Sequence, residues 1–264
     1  MKKVLVVGGS EEYVGAVYLA AIAALRAGAE SVIVMAPEKV AWALNTISPD
    51  IMTRKLKGRF LSTSHAKTIK KLLKTADILL IGNGAGVHPH TSSLMRTLSE
   101  WPGLKVIDAD ALKALRGTRV KNAILTPNEG EWEMLQKGSD IKKLLEKNVI
   151  IQKGRHTRIL SANKTYRQKR TNPGLEKAGM GDVLAGLCAG FLACLPRGRR
   201  LPARRAQAGR QTQGLTLWDA AKKAADIGNT IAGILSTRKK GYYFLASDIV
   251  NELSRARKQR TRKS

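Results

Sequence analysis

Apolar residues along the chain fall in short runs, and the stretches between those runs carry helical spacing. "KKVLVVGG" (2–9) reads as a buried strand that stops at a glycine turn. "GAVYLAAIAALRAGA" (15–29) is dense in helix formers and ends near Gly28. "SVIVMAP" (31–37) is a second strand. Strand, loop, helix and strand in that order predict a parallel pair joined by a crossover helix. The pattern then repeats. Strands are expected at "DILLIG" (77–82), "KVIDAD" (105–110), "AILTP" (123–127), "VIIQKG" (149–154) and "TRILSA" (157–162). Helices are expected at "AKTIKKLLK" (66–74), "TSSLMRTLSEW" (91–101), "DALKALR" (110–116) and "GEWEMLQ" (130–136), and later at 181–195, about 217–236 and about 246–258. Apolar strands alternating with helices imply a mainly parallel sheet covered on both faces, an α/β fold built as a three-layer α/β/α sandwich. No repeat or linker interrupts the pattern, so residues 1–264 read as one domain.

Composition changes this picture in one respect. The formal charge is +27, which raises the question of nucleic acid. Much of the excess is clustered. "PRGRRLPARRAQAGR" (196–210) holds six Arg and no acid, inside a basic loop at about 196–214. "LSRARKQRTRKS" (253–264) holds six basic residues, all of them in a basic tail at about 255–264. Neither stretch is interleaved with aromatics, so a stacking platform for single strands is not visible. Solvated charge with nonspecific polyanion contact is the plainer reading. No apolar run is long enough to span a membrane, and the N-terminus lacks a signal-peptide core, so a cytoplasmic location is expected. The two cysteines, Cys188 and Cys194, read as buried small hydrophobes on one helix.

In parallel sheets ligands sit beyond the carboxyl ends of the strands. One loop there stands out, "NPGLEKAGMGD" (172–182), followed at once by a small-residue helix. The first turn of a helix offers unpaired N–H groups, and glycines before it let them converge on an anion. A phosphate at that place would repel Asp182. Either Asp182 caps the helix, or it is a base for a hydroxyl that attacks the phosphate. Ala185, Gly186, Ala189 and Gly190 would let the helix pack closely beneath the site. Lys153 ends a strand beside glycine and suits a nucleotide phosphate, or is a surface lysine. Asp108 and Asp110 could hold magnesium or water, with Asp110 more simply capping the next helix. His88 and His90 lack an evident third ligand, so a metal site there is not expected.

The stretches "GGSEEYVGAVYLAAIAALRAGA", "IGNGAG", "VIDADAL", "LTPNEGE", "QKGRHT" and "NPGLEKAGMGDVLAG" occur in an order that resembles the ADP/ATP-dependent NAD(P)H-hydrate dehydratases of the ribokinase-like superfamily. The resemblance covers about residues 4–195 and continues weakly to "YYFLASDIV". It implies a repair reaction on hydrated NADH or NADPH, the S-form hydrates. ADP or ATP would phosphorylate the ring hydroxyl, and loss of phosphate would restore NAD(P)H. The family's base matches Asp182. Substrate contacts match Ala16, Gly84 or Gly86, Asn128 and Asp182. The adenine nucleotide would lie on Lys153, Gly154, Arg155, His156 and Thr157, with Gly179, Met180 and Gly181 at its phosphates. Mg2+ would accompany the nucleotide without a protein cage. The resemblance also implies a homo-oligomer, commonly a tetramer, and a separate NAD(P)H-hydrate epimerase acting on the same pool.

The chain departs from the family in places. Asn128 and Glu129 stand where a histidine and often a proline are usual, and Met180 replaces the threonine usual between the glycines. The Arg-rich stretch resembles an insertion. Asn128 and Glu131 also make an N-x-x-E spacing, seen in related kinases that organise magnesium. A ribokinase-like kinase for a small alcohol, such as a vitamin precursor, is therefore the alternative. A nucleic-acid-binding protein that kept the fold and lost the chemistry is a third reading.

Overall fold

The computed structural model describes residues 2–195 and 216–261, with side chains through Leu253. The basic loop at about 196–214 and the last residues of the tail lie outside the described residues. Nine strands form one sheet in the order β3-β2-β1-β4-β5-β6-β7-β8-β9. These are β1 (Lys3–Val7), β2 (Ser31–Pro37), β3 (Met52–Leu56), β4 (Ile78–Ile81), β5 (Leu104–Ile107), β6 (Ala123–Leu125), β7 (Val149–Gln152), β8 (Arg158–Leu160) and β9 (Thr165–Arg167). Strands β1 to β7 are parallel, while β8 and β9 turn back antiparallel at one edge.

The inner strands are apolar at most positions because both faces are covered, with β4 (ILLI) buried throughout and Lys105 the polar exception inside β5. Val4 and Val6 point into one core, with Ile78, Leu80 and Val106. Leu5 and Val7 point into the other, with Leu79, Ile81 and Ile107. The first core is closed by α1 (Val14–Ala27), α2 (Glu38–Ile47), α8 (Met180–Ala193), α9 (Leu217–Arg238) and α10 (Ala246–Thr261). The second is closed by α3 (Ala66–Leu73), α4 (Pro89–Ser99), α5 (Asp110–Lys113), α6 (Glu129–Gly138) and α7 (Ile141–Leu145). The result is the expected three-layer α/β/α sandwich. Helix α10 runs to Thr261, so the tail expected from about 255 is helical over most of its length.

Two features position the site. The chain builds β2 and β3 on one side of β1, then crosses to β4 on the other, so a crevice opens between the carboxyl ends of β1 and β4. The small-residue stripe of α8 packs on α1. A methyl group added at Gly186 would stand 2.2 Å from the Ala20 carbonyl oxygen, and one at Gly190 would stand 2.5 Å from that of Ala24. Only glycine lets the two backbones touch.

Candidate active site

Hydrogen bonds carry the parallel ladder past the strand ends. Gly82 donates to Val7, Asp108 to Ile81, Thr126 to Ile107, and Lys153 to Pro127. Residues just beyond β4, β5, β6 and β7 are thereby held at one level. Asp108, 1% exposed, is their hub. Its Oδ1 accepts from Thr126 Oγ1 at 2.7 Å and from Lys153 Nζ at 3.0 Å. Its Oδ2 accepts from Asn83 Nδ2 at 2.9 Å. The same Asn83 nitrogen donates to Asp182 Oδ1 at 2.7 Å. Asp182 Oδ2 has no partner among the described residues.

Asp182 stands in the first turn of α8. Gly179, at φ 81°, makes the turn into that helix. The amides of Gly181 and Asp182 find no acceptor among the described residues, and the helix dipole adds positive potential there. The Lys153 ammonium lies beside them, 3.1 Å from where a Gly181 side chain would begin. Free amides, a cation and a carboxylate thus meet at one point.

The electrostatics fit that arrangement. Burial raises the Asp182 pKa to about 6, against the Asn83 hydrogen bond that holds it down, and nearby Asp108 raises it further. Burial works against the charge on Lys153, but Asp108, Glu131 and Asp182 outweigh it and raise its pKa. Burial also raises the Glu131 pKa, partly offset by Lys153.

A cleft of about 630 Å³ opens over this point. Of the sequence-predicted residues, Asn128, Lys153, Gly154, Arg155, Thr157 and Asp182 line it, as do Gly179, Met180 and Gly181. His156 does not. It lines a neighbouring cavity of about 370 Å³ with Arg155, Lys169 and Arg170. The Thr157 hydroxyl is spent within its own loop, donating to Gly154 at 3.3 Å and accepting from Thr171 at 3.1 Å. Ala16, Gly84 and Gly86 lie outside the cleft, at the β1–β4 crevice. Gly84 packs on Tyr13 and Ala16, and Gly86 N donates to Asp110 at 2.9 Å. Asn83, next to Gly84, joins that crevice to Asp182.

Several expectations need correction. Asp110 does not cap α5. The N-cap is Ala109, at the unusual φ of 48°, and Asp110 instead holds Gly86 and Lys113. Cys194 is exposed, unlike the buried Cys188, because it falls at the end of α8. The N-x-x-E spacing is a helix-capping box: Asn128 Oδ1 accepts from Glu131 N, and Glu131 Oε2 accepts from Asn128 N, each at 2.9 Å. The box uses only one Glu131 carboxylate oxygen; Oε1 has no partner among the described residues. His88 caps α4 through Nδ1 and stacks on Phe60, with ring centroids 3.9 Å apart. Among the described residues no group of three or more His, Cys, Asp or Glu side chains could hold a metal ion, and no helix is long and apolar enough to cross a membrane. Sequence reasoning missed Asn83 and Thr126. The available signal for Asn83 was a polar amide wedged between glycines directly after an apolar strand.

A mainly parallel α/β/α sandwich of this kind is also the fold of a solved ribokinase-like superfamily protein of Enterococcus faecalis, with a TM-score of 0.77 at 21% identity over 98% of this chain and 87% of that one. The solved ADP/ATP-dependent NAD(P)H-hydrate dehydratase of Bacillus subtilis, co-crystallized with ATP/Mg2+ and soaked with CoA, has the same fold. Its TM-score is 0.74 at 22% identity, over 98% of this chain and 92% of that one. The chain belongs to the NAD(P)H-hydrate dehydratase family, whose model matches residues 4–255. It is 35% identical over 269 residues to a bifunctional NAD(P)H-hydrate repair enzyme of Pyrobaculum aerophilum, covering 96% of this chain and 50% of that protein. It is 30% identical over 213 residues to the ADP-dependent (S)-NAD(P)H-hydrate dehydratase of Streptococcus pneumoniae, covering 72% and 70%. The chain spans about half the length of the bifunctional relatives it matches.

Proposed function

We propose that this chain dehydrates the S-form hydrates of NADH and NADPH, using ADP or ATP to turn the ring hydroxyl into a leaving group. The observation that carries the reading is Asp182: one carboxylate oxygen is pinned by Asn83 and the other is unpartnered among the described residues, beside two amides that find no acceptor there and Lys153. The hydroxyl oxygen of the hydrated ring attacks the terminal phosphorus of the nucleotide while Asp182 Oδ2 takes its proton. The bond from that phosphorus to the bridging oxygen breaks, and the shortened nucleotide leaves with the electron pair. The free amides and Lys153 balance the charge on the transferring group. The ring nitrogen then pushes out the phosphate, which carries away the hydrogen of the neighbouring carbon, and the dihydronicotinamide double bond returns. A bare hydroxyl would be a far poorer leaving group.

Gly154, Arg155, His156, Thr157, Gly179, Met180 and Gly181 form the nucleotide side of this proposal; Ala16, Gly84, Gly86 and Asn128 form the substrate side. Magnesium fits as an ion carried on phosphate oxygens and water. Both Asp108 oxygens are occupied by protein groups, whereas Glu131 Oε1 has no partner among the described residues and Glu129 lines the same wall. Those two glutamates would hold its water shell, and the ion would supply charge neutralisation along the phosphates. A cytoplasmic location, a homo-tetramer and an epimerase activity on the same pool complete the proposal. The test is incubation of the chain with hydrated NADH or NADPH and ADP or ATP, following the returning dihydronicotinamide absorbance. No return with either nucleotide would overturn it.

A further inference from the structure

We infer that Asn83 is a positioning residue for the reaction: its carboxamide ties Asp182 to the buried Asp108–Lys153 pair, so that Asp182 offers one defined oxygen to the substrate. The inference rests on the function proposed above. Asn83 is fully buried, and its single side-chain nitrogen serves carboxylates from two different elements, the end of β5 and the start of α8. Its backbone is fixed as well, because its carbonyl accepts from Gly9 N at 2.9 Å. The bridge has a cost. With both N–H groups spent on acids, Asn83 Oδ1 is left buried with no hydrogen-bond partner among the described residues. A buried orphan acceptor in a well-packed fold calls for a reason. Holding two carboxylates at a set separation is such a reason, since aspartates placed side by side repel and swing apart unless a donor stands between them.

The consequences follow from which oxygen is used. The N–H pins Oδ1 of Asp182 and leaves Oδ2 for the proton of the attacking hydroxyl. Remove the amide and the carboxylate gains rotational freedom and loses a charge-assisted donor. Three charged groups and its own burial at α8 then bear on its proton affinity: Asp108 at the end of β5, Lys153 at the end of β7 and Asp110 on α5. Burial and the two aspartates raise the pKa and only Lys153 lowers it.

The experiment compares Asn83→Ala with the wild-type chain. Turnover of hydrated NADH should fall about 10²-fold in kcat, the scale of a misplaced reacting group, while KM for the nucleotide stays within about twofold. The carboxyl carbon of Asp182, followed by NMR in carbon-13-labelled protein, should titrate about one pH unit higher than in wild type. A purely structural role would lower the amount of folded enzyme without moving that titration. If the alanine variant unfolds, Asn83→Ser, which keeps one donor, takes its place and should show a smaller shift in the same direction. An Asp182 titration unchanged in the folded variant overturns the inference. If the wild-type chain fails to restore NADH or NADPH, the proposed function falls, and the NMR titration still decides the link between Asn83 and Asp182.

Discussion

Replacing Asp182 by asparagine should abolish turnover and yet make the protein more stable. In water an aspartate titrates near 3.8; in the folded chain the value for Asp182 is about 6. Above pH 6 the group is charged in both states, and folding must carry that charge into the site. A shift of about two units corresponds to about 3 kcal/mol of strain, and partial solvent access reduces this to roughly 2 kcal/mol. Asparagine removes the charge and keeps an oxygen to accept from Asn83, so the hydrogen bond survives. For a chain of this size the gain should raise Tm by roughly 4–8 °C near pH 8. The sign of the pH dependence is fixed. As pH falls from about 6 towards 4, folded wild type takes up a proton that the unfolded chain does not, and the strain is relieved. The advantage of the variant should shrink through that window and vanish below it. Thermal or urea unfolding of both proteins across a pH series reads this directly. A variant less stable than wild type at pH 8, or a difference that does not change with pH, would refute the reasoning.

Three other outcomes are expected. The acid limb of kcat/KM in wild type should fall about tenfold per pH unit below about 6, because protonated Asp182 cannot accept a proton; a flat profile down to pH 5 would remove Asp182 as the base. Lys153→Met should cost about 3–5 kcal/mol in urea unfolding, since it leaves Asp108 charged and buried without its cation, and isothermal titration should show weaker nucleotide binding; retention of wild-type values in both would contradict the hub. Gly186→Ala would gain about 1 kcal/mol from helix propensity alone, yet the clash with Ala20 should make it destabilising by roughly 1–3 kcal/mol with reduced turnover; a stabilised, fully active variant would show that the α1–α8 contact can relax.

Most of the sheet was legible because its inner strands are buried on both faces and carry mainly apolar runs. The elements that went unread lack that signal. Strand β3, "MTRKL", lies at the sheet edge and carries three residues that face water. Strand β9 has three residues and only one partner strand. Helix α2 has only ten residues and begins after Pro37 with no side-chain cap to mark its start. Lys105 would be read as a surface residue, yet it is fully buried, with Nζ donating to the Lys121 carbonyl; burial, with Lys121 adding to it, lowers its pKa to about 8. At the site, Asp182 and Lys153 were visible as types at telling positions. Their connection was not. Asn83, Asp108, Thr126 and Lys153 come from four separate strand ends, and nothing along the chain says which of them will touch. That information resides in strand order and register, which emerge only when the sheet is assembled.

The bare contact between α1 and α8 bears on how such an enzyme can change. The acid owes its place to main chain resting on main chain, a seam of glycine against alanine with little room for exchange. Core hydrophobes elsewhere can drift from one type to another while Asp182 stays where it is. New substrates must then be won by remodelling the loops around the cleft mouth, with the reacting end left as a fixed anvil.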